Sequence, residues 1–157
     1  YQNRQKHNYF FYIKIIFFLC YSRKDQEKVE KLYHRLSSQN FDIWFDKRKL
    51  LPGQDWEIMI ERAVRSSDII IVCLSNESIT KSGYAQEEMR YALKIANQQP
   101  EHKIFLIPLR LDECNVPDPF RRWHYVDYYE SNGHSRLLKS LYYALEHIDI
   151  NDYLESY

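Results

Sequence analysis

Glycine is scarce in this chain, 3 of 157 residues. That excludes a collagen-like repeat, a Gly-rich phosphate loop and a disordered low-complexity tract, and no P-loop occurs. Charge of one sign is lacking as well. There are 22 basic and 22 acidic residues, a net charge of zero, so no field draws the chain to nucleic acid or to an anionic membrane. Cysteine is limited to Cys20, Cys73 and Cys114. An odd count at these spacings fits neither a disulfide framework nor a zinc site, and the expectation is buried, reduced thiols in a cytoplasmic protein. The six histidines are scattered, which argues against a metal centre or a Cys/His catalytic dyad. A long hydrophobic run is missing too. The most apolar stretch, 9–21, is too short to span a bilayer and carries Lys14 in its middle. No small-residue cleavage site follows it, as a signal peptide would require.

Aromatic residues, by contrast, are plentiful: 14 Tyr, 8 Phe and 3 Trp. A chain of this length suits one domain around a single core. The domain is expected over 13–148, with 1–12 a leader from a longer protein and 149–157 a frayed tail. Strand and helix patterns alternate along it. Strands are predicted at about 13–21, 41–45, 68–75, 103–111 and 123–128. Helices are predicted at about 25–38, from an N-cap at Asp55, over 84–96, and around Leu137, Leu138, Leu141, Tyr142 and Leu145. Residues 76–83 read as a loop, and Asn132-Gly133 as a turn only.

This alternation specifies an α/β domain, a parallel sheet with helices on both faces. Five strands fit the flavodoxin-like order 2-1-3-4-5, and right-handed crossovers leave little other freedom. In that order the winding reverses between strands 1 and 3, and ligands bind there, outside the carboxyl ends of the strands. Tyr21, Ser22 and Arg23 follow strand 1; the helix from Tyr84 follows strand 3.

Glu88 stands out in that helix. Helical spacing groups it with Tyr84, Tyr91 and Ile95, beside Ala85, Met89, Ala92 and Ala96. A carboxylate on an apolar face costs free energy unless something uses it. Glu88 is therefore a site candidate from the pattern alone.

Four motifs in order carry a family resemblance. Phe18-Leu-Cys-Tyr-Ser22 with Asp25, Phe41-Asp-Ile-Trp-Phe-Asp46 with Leu51-Pro-Gly53 and Trp56, Ser67 to Ser75, and Gly83 to Leu93 together resemble TIR domains, from about residue 13 to 147. Leu51-Pro-Gly-Gln-Asp-Trp56 and Phe105-Leu-Ile-Pro108 resemble the bacterial branch. In that family, some members recruit other TIR domains as scaffolds, and others hydrolyse or cyclise NAD+. The enzymatic kind uses a helix glutamate four residues after an aromatic. Here that pair is Tyr84 and Glu88, with Tyr where Trp is frequent.

The resemblance implies an NAD+ nucleosidase releasing nicotinamide and ADP-ribose or a cyclic isomer. It also implies activation by self-association and a place in bacterial antiviral defence. NAD+ would be substrate, and no cofactor or metal is expected. Nicotinamide leaves as a neutral base through an oxocarbenium-like state, so a nearby negative charge helps more than a strong acid. Glu88 takes that role. Tyr84 and Trp56 offer stacking faces, and Tyr21, Ser22 and Arg23 would meet ribose and phosphate, with Arg23 suited to a bidentate phosphate contact. Asp46 would bind a hydroxyl. The loop carrying Leu50, Leu51, Pro52, Gly53 and Gln54 would dock on another copy. Ordinary structural readings stand beside these: Trp56 as core, Ser22 and Arg23 as helix caps, Asp46 as a strand terminator, and the whole domain as a non-enzymatic interaction module. A phosphoacceptor receiver fits poorly, because the ends of strands 1 and 3 lack its acidic residues.

Overall fold

A computed structural model describes residues 15–39, 41–44, 51–80, 84–99 and 105–147, with the side chains of 44 and 84–87 left aside. The leader at 1–12, the tail at 149–157, Asp46, Leu50 and the Tyr84 side chain lie outside what is described. The elements run β1 (Ile16–Cys20), a 3-10 turn (Arg23–Asp25), α1 (Gln26–Ser37), β2 (Asp42–Trp44), α2 (Trp56–Ser66), β3 (Ile69–Leu74), α3 (Asn76–Thr80) and α4 (Tyr84–Ala96). Then come β4 (Leu106–Arg110), a second 3-10 turn (Asp118–Phe120), β5 (Val126–Asp127) and α5 (Gly133–Glu146).

The five strands form one sheet in the order β2-β1-β3-β4-β5. Every pairing is parallel, with Phe17 opposite Ile69 and Ile70 opposite Leu106. The flavodoxin-like arrangement is the one expected. All six residues of β3 are buried, as a strand covered on both faces should be. Successive side chains alternate between two layers. Phe17, Leu19, Ile69, Ile71 and Cys73 pack with α1 and α5, through Leu32, Leu36, Leu137 and Leu141. Phe18, Cys20, Ile70, Val72 and Leu74 pack with α2 and α4, through Ile60, Val64, Met89, Ala92 and Ile95.

The Asp55 cap is formed as expected. Its carboxylate accepts hydrogen bonds from the amides of Glu57 (3.0 Å) and Ile58 (3.3 Å), satisfying donors that the first turn leaves open. Three expectations need correction. Residues 76–80 are a helix, not loop; the cause is a reciprocal cap. The Ser78 amide donates to Ser75 Oγ (3.1 Å), and the Ser75 amide donates to Ser78 Oγ (2.8 Å). The fifth strand is two residues long, because β5 meets only the end of β4, Leu109 opposite Val126 and Arg110 opposite Asp127. Gly133 is more than a turn residue. It is buried at the start of α5, where a Cβ would lie 2.6 Å from the Asp127 carbonyl oxygen.

Candidate functional site

Two carboxylates are buried among the described residues, Asp25 at 5% exposure and Glu88 at 3%. Both belong to segments that leave the carboxyl ends of β1 and β3. Glu88 sits in the early turns of α4, which starts after the β3–α3 connection and packs on α2 and β1. The residue after it, Met89, and the residue one turn on, Ala92, are core. Glu88 thus occupies the apolar stripe that its spacing predicts. Water screens a charge weakly in such a layer.

Trp56 is the first residue of α2, half-buried against that same layer, and Tyr91 packs there too. Tyr21 does not join them. It packs against the layer that holds α1 and α5, on the other side of the sheet. Strand alternation accounts for this: Cys20 faces the α2 and α4 side, so its neighbour turns away. Ser22 is half-buried and Arg23 is exposed, at the lip formed by the first 3-10 turn. Ser22 makes no side-chain cap bond. The structure therefore brings Glu88 and Trp56 into one layer, sets Ser22 and Arg23 at the strand ends, and directs Tyr21 to the other layer.

Asp25 was legible only as a motif position. Its carboxylate makes no capping bond to α1 and instead accepts a 2.6 Å hydrogen bond from Ser75 Oγ. Burial raises its pKa above the ordinary value; the Ser75 hydrogen bond and Lys28 oppose that rise, and Asp112 and Glu77 add to it. Next in the chain, the Asn76 amide donates to Asp112 Oδ1 (3.0 Å), and Asn76 Nδ2 to the Glu113 carbonyl (3.1 Å). The carboxyl ends of β1, β3 and β4 are thereby joined by one polar network. Sequence spacing gives no sign of this contact between residues 50 apart.

The remaining features fit other tasks. The three cysteines are free and buried. Burial pushes the Cys73 thiol far up, and the Cys114 thiol up to about 11, with Asp112 adding to the latter. Neither is a thiolate nucleophile near neutral pH. No group of three or more potential metal ligands occurs among the described residues. None of the described helices is long and apolar enough to cross a membrane. A groove lined by Ile16, Asp42, Met59, Arg62 and Ser66 lies at the opposite, amino end of β1 and β2, away from the buried carboxylates.

The loop before α2 is built as a tight turn. The Gln54 amide donates to the Leu51 carbonyl (3.1 Å), and the Leu51 amide donates to Gln54 Oε1 (2.9 Å). Gly53 has a φ of 87°, which an L-residue side chain disfavours. The turn holds Leu51 at 66% exposure, and Ile58 follows at 49% in the next helix.

Comparison with known proteins agrees with this architecture. The TIR domain of the Toll-related receptor TRR-2 from Hydra magnipapillata superposes with a TM-score of 0.67 at 19% identity, covering 83% of this chain and 98% of that one. A metazoan TIR-STING receptor from C. gigas gives 0.55 at 23% identity, over 68% of this chain and 35% of that one. At these identities the likeness is one of fold. An uncharacterized protein, y4cD, of Sinorhizobium fredii (strain NBRC 101917 / NGR234) is 26% identical over 97 residues, 62% of this chain. The chain spans only 15% of the length of that relative. Residues 17–141, most of the chain and all of the sheet but Ile16, match the family described as TIR domain. With the strand order and this match in agreement, the chain belongs to the TIR-domain family.

Proposed function

We propose that this TIR domain cleaves the bond between nicotinamide and ribose in NAD+, with Glu88 as the catalytic carboxylate. The observation that carries the reading is a glutamate buried to 3% in an apolar helix layer beside the strand crossover. Carboxylates are rarely so buried, and cleavage of a cationic dinucleotide would make use of one there. As the C–N bond lengthens, nicotinamide takes the bonding electron pair and leaves neutral, and positive charge develops on the ribose. A fixed negative charge there stabilises the transition state more than the ground state, which is the condition for raising kcat.

Trp56, in the same layer, supplies an aromatic face for a flat ring. Arg23 and Ser22, at the ends of the strands, suit the phosphate and ribose of the dinucleotide. Water capture of the ribose cation yields ADP-ribose; capture by a group of the same molecule yields a cyclic isomer. The reading assigns Tyr84 to stacking and Asp46 to a hydroxyl, and it takes the substrate from the cytoplasmic NAD+ pool. Bacterial antiviral defence is the setting that the family resemblance suggests.

The test is nicotinamide release from NAD+ by purified protein at several concentrations, alone and tethered in arrays, with products separated by chromatography. Release that is lost in Glu88→Ala supports the assignment. Release undiminished in that variant removes Glu88 from the mechanism.

A second reading has its own observation. Leu51 and Ile58 are exposed apolar residues on and just after a rigid turn. Covering the exposed part of each would contribute about 1–2 kcal/mol, which favours copies associating there as part of a larger contact. Under this reading the domain is an interaction module, and NAD+ is untouched even in the assembled state. The two readings meet if assembly through Leu51, Pro52, Gly53 and Gln54 switches the enzyme on. Activity that rises faster than protein concentration distinguishes the combined reading from a simple monomeric enzyme.

A further inference from the structure

We propose that Asp25 is a positioning residue, which through Ser75 holds the Ser22–Arg23 lip in register with the β3 side of the crevice. The inference rests on the NAD+ reading for its ligand, and on geometry for its mechanism. Ser75 Oγ has one proton. The Ser78 amide already donates to this oxygen (3.1 Å), and the proton goes to Asp25 Oδ2 (2.6 Å). Both residues are buried, Ser75 at 1% and Asp25 at 5%. The Asp25 amide in turn donates to the Ser22 carbonyl (2.9 Å), closing the 3-10 turn that carries Arg23. Asp25 thus ties the turn both through its own backbone and, by its side chain, to the cap of α3.

The tie reaches across 50 residues of chain and spans the point where the sheet's winding reverses. On its far side Asp112 caps the same helix from the end of β4. Arg23 itself is exposed and long, so the placement of its backbone decides where its guanidinium can reach. A cap alone would need Ser75 and Ser78 but not a buried carboxylate, whose burial is unfavourable. Holding a ligand-binding lip explains why the acid is kept there.

Arg23 would contact phosphate, remote from the bond that breaks. Loss of its placement should weaken ground-state and transition-state binding alike, raising KM and leaving kcat nearly unchanged. Glu88 variants should do the opposite. The experiment is steady-state nicotinamide release by Asp25→Ala, Ser75→Ala and the double variant, with Asp25→Asn as the conservative change. Amide hydrogen exchange at Asp25 is measured in parallel. The proposal predicts that each alanine variant raises KM roughly tenfold, with kcat within about threefold of wild type. The double variant should go no further than Ser75→Ala, which removes this bond together with the Ser78 cap. Asp25→Asn, which keeps an acceptor oxygen, should fall between wild type and Asp25→Ala, and it serves if the alanine variant does not fold. An unchanged KM in folded variants, or effects that multiply in the double variant, overturns the proposal. If wild-type protein releases no nicotinamide, the enzyme reading fails, and the tie is judged on exchange alone. Exchange at the Asp25 amide that is about tenfold faster, and equally so in singles and double, sustains it; unaltered exchange ends it.

Discussion

Substituting Gly133 by alanine tests how the short fifth strand is held. Gly133 opens α5 directly beneath β5, and its missing side chain is what lets the helix approach. A Cβ built there meets three atoms, Asp127 O at 2.6 Å and Tyr128 Cα and O at 2.7 Å each. These fall short of an ordinary 3.4 Å contact by about 0.7–0.8 Å. All three are backbone atoms, so no rotamer change relieves them; helix and strand must separate. Overpacking of this kind costs about 1–3 kcal/mol, partly offset by about 0.5–1 kcal/mol from the better helix propensity of alanine. A net loss of about 1–2 kcal/mol lowers Tm by roughly 2–8 °C for a domain of this size. Gly53→Ala is the matched control. Its Cβ meets nothing within 4 Å, and its penalty is the φ of 87° alone, about 1–2 kcal/mol for an L-residue held there. Thermal unfolding followed by circular dichroism, with urea midpoints at constant m-value, gives both losses. Gly133→Ala should be less stable than wild type and should keep wild-type activity per folded molecule, because α5 lies in the layer opposite Glu88. A Gly133→Ala protein as stable as wild type would refute the close-approach argument.

Two further outcomes follow from the same structure. Leu51→Asp should flatten the concentration dependence of nicotinamide release, lowering it at least tenfold at high protein while leaving Tm within about 2 °C, since Leu51 is 66% exposed; unaltered concentration dependence would remove the turn from assembly. His134 should make stability pH-dependent. Its pKa is lowered by burial and by Arg35, so the folded state binds the proton less tightly than the unfolded state. That contribution is present above the unfolded value of 6.5 and is lost as pH falls from there through the lower folded value. The surroundings are visible: Tyr128 Oη accepts from Arg35 (3.2 Å) and shares a hydrogen bond with His134 Nδ1 (2.9 Å), so a charged imidazole would lie close to the Arg35 guanidinium. The urea midpoint should drop from about pH 7.5 to about 5.5 more steeply in wild type than in His134→Gln; equal slopes contradict the assignment.

The parts legible in the sequence were those governed by periodicity. The unbroken apolar run of β3 and the alternation of strand and helix dictated the parallel sheet and its order. The burial of Glu88 was legible because a helical stripe assigns each residue a face, and an acid on the apolar face is conspicuous. Three features were not legible, for related reasons. Residues 76–80 have weak helix propensity, and they form a helix because Ser75 and Ser78 cap one another and Asp112, just past β4, accepts from the Asn76 amide. Gly133 looks like any glycine in a turn until β5 is placed against it. Asp25 and Ser75 each belong to a recognisable motif, yet their hydrogen bond exists only once β1 and β3 lie side by side. Tyr21 shows the reverse difficulty. It is adjacent to the crevice in sequence, but strand alternation turns its ring to the other layer.

The most direct measurement of the central claim is nicotinamide release by concentrated or tethered protein, wild type beside Glu88→Gln, which conserves size and removes the charge. The account predicts turnover by the wild type and a loss of at least about 10²-fold in kcat in the variant, with folding preserved. Equal turnover in the two proteins would contradict it, as would the absence of any release from wild-type protein shown to be assembled.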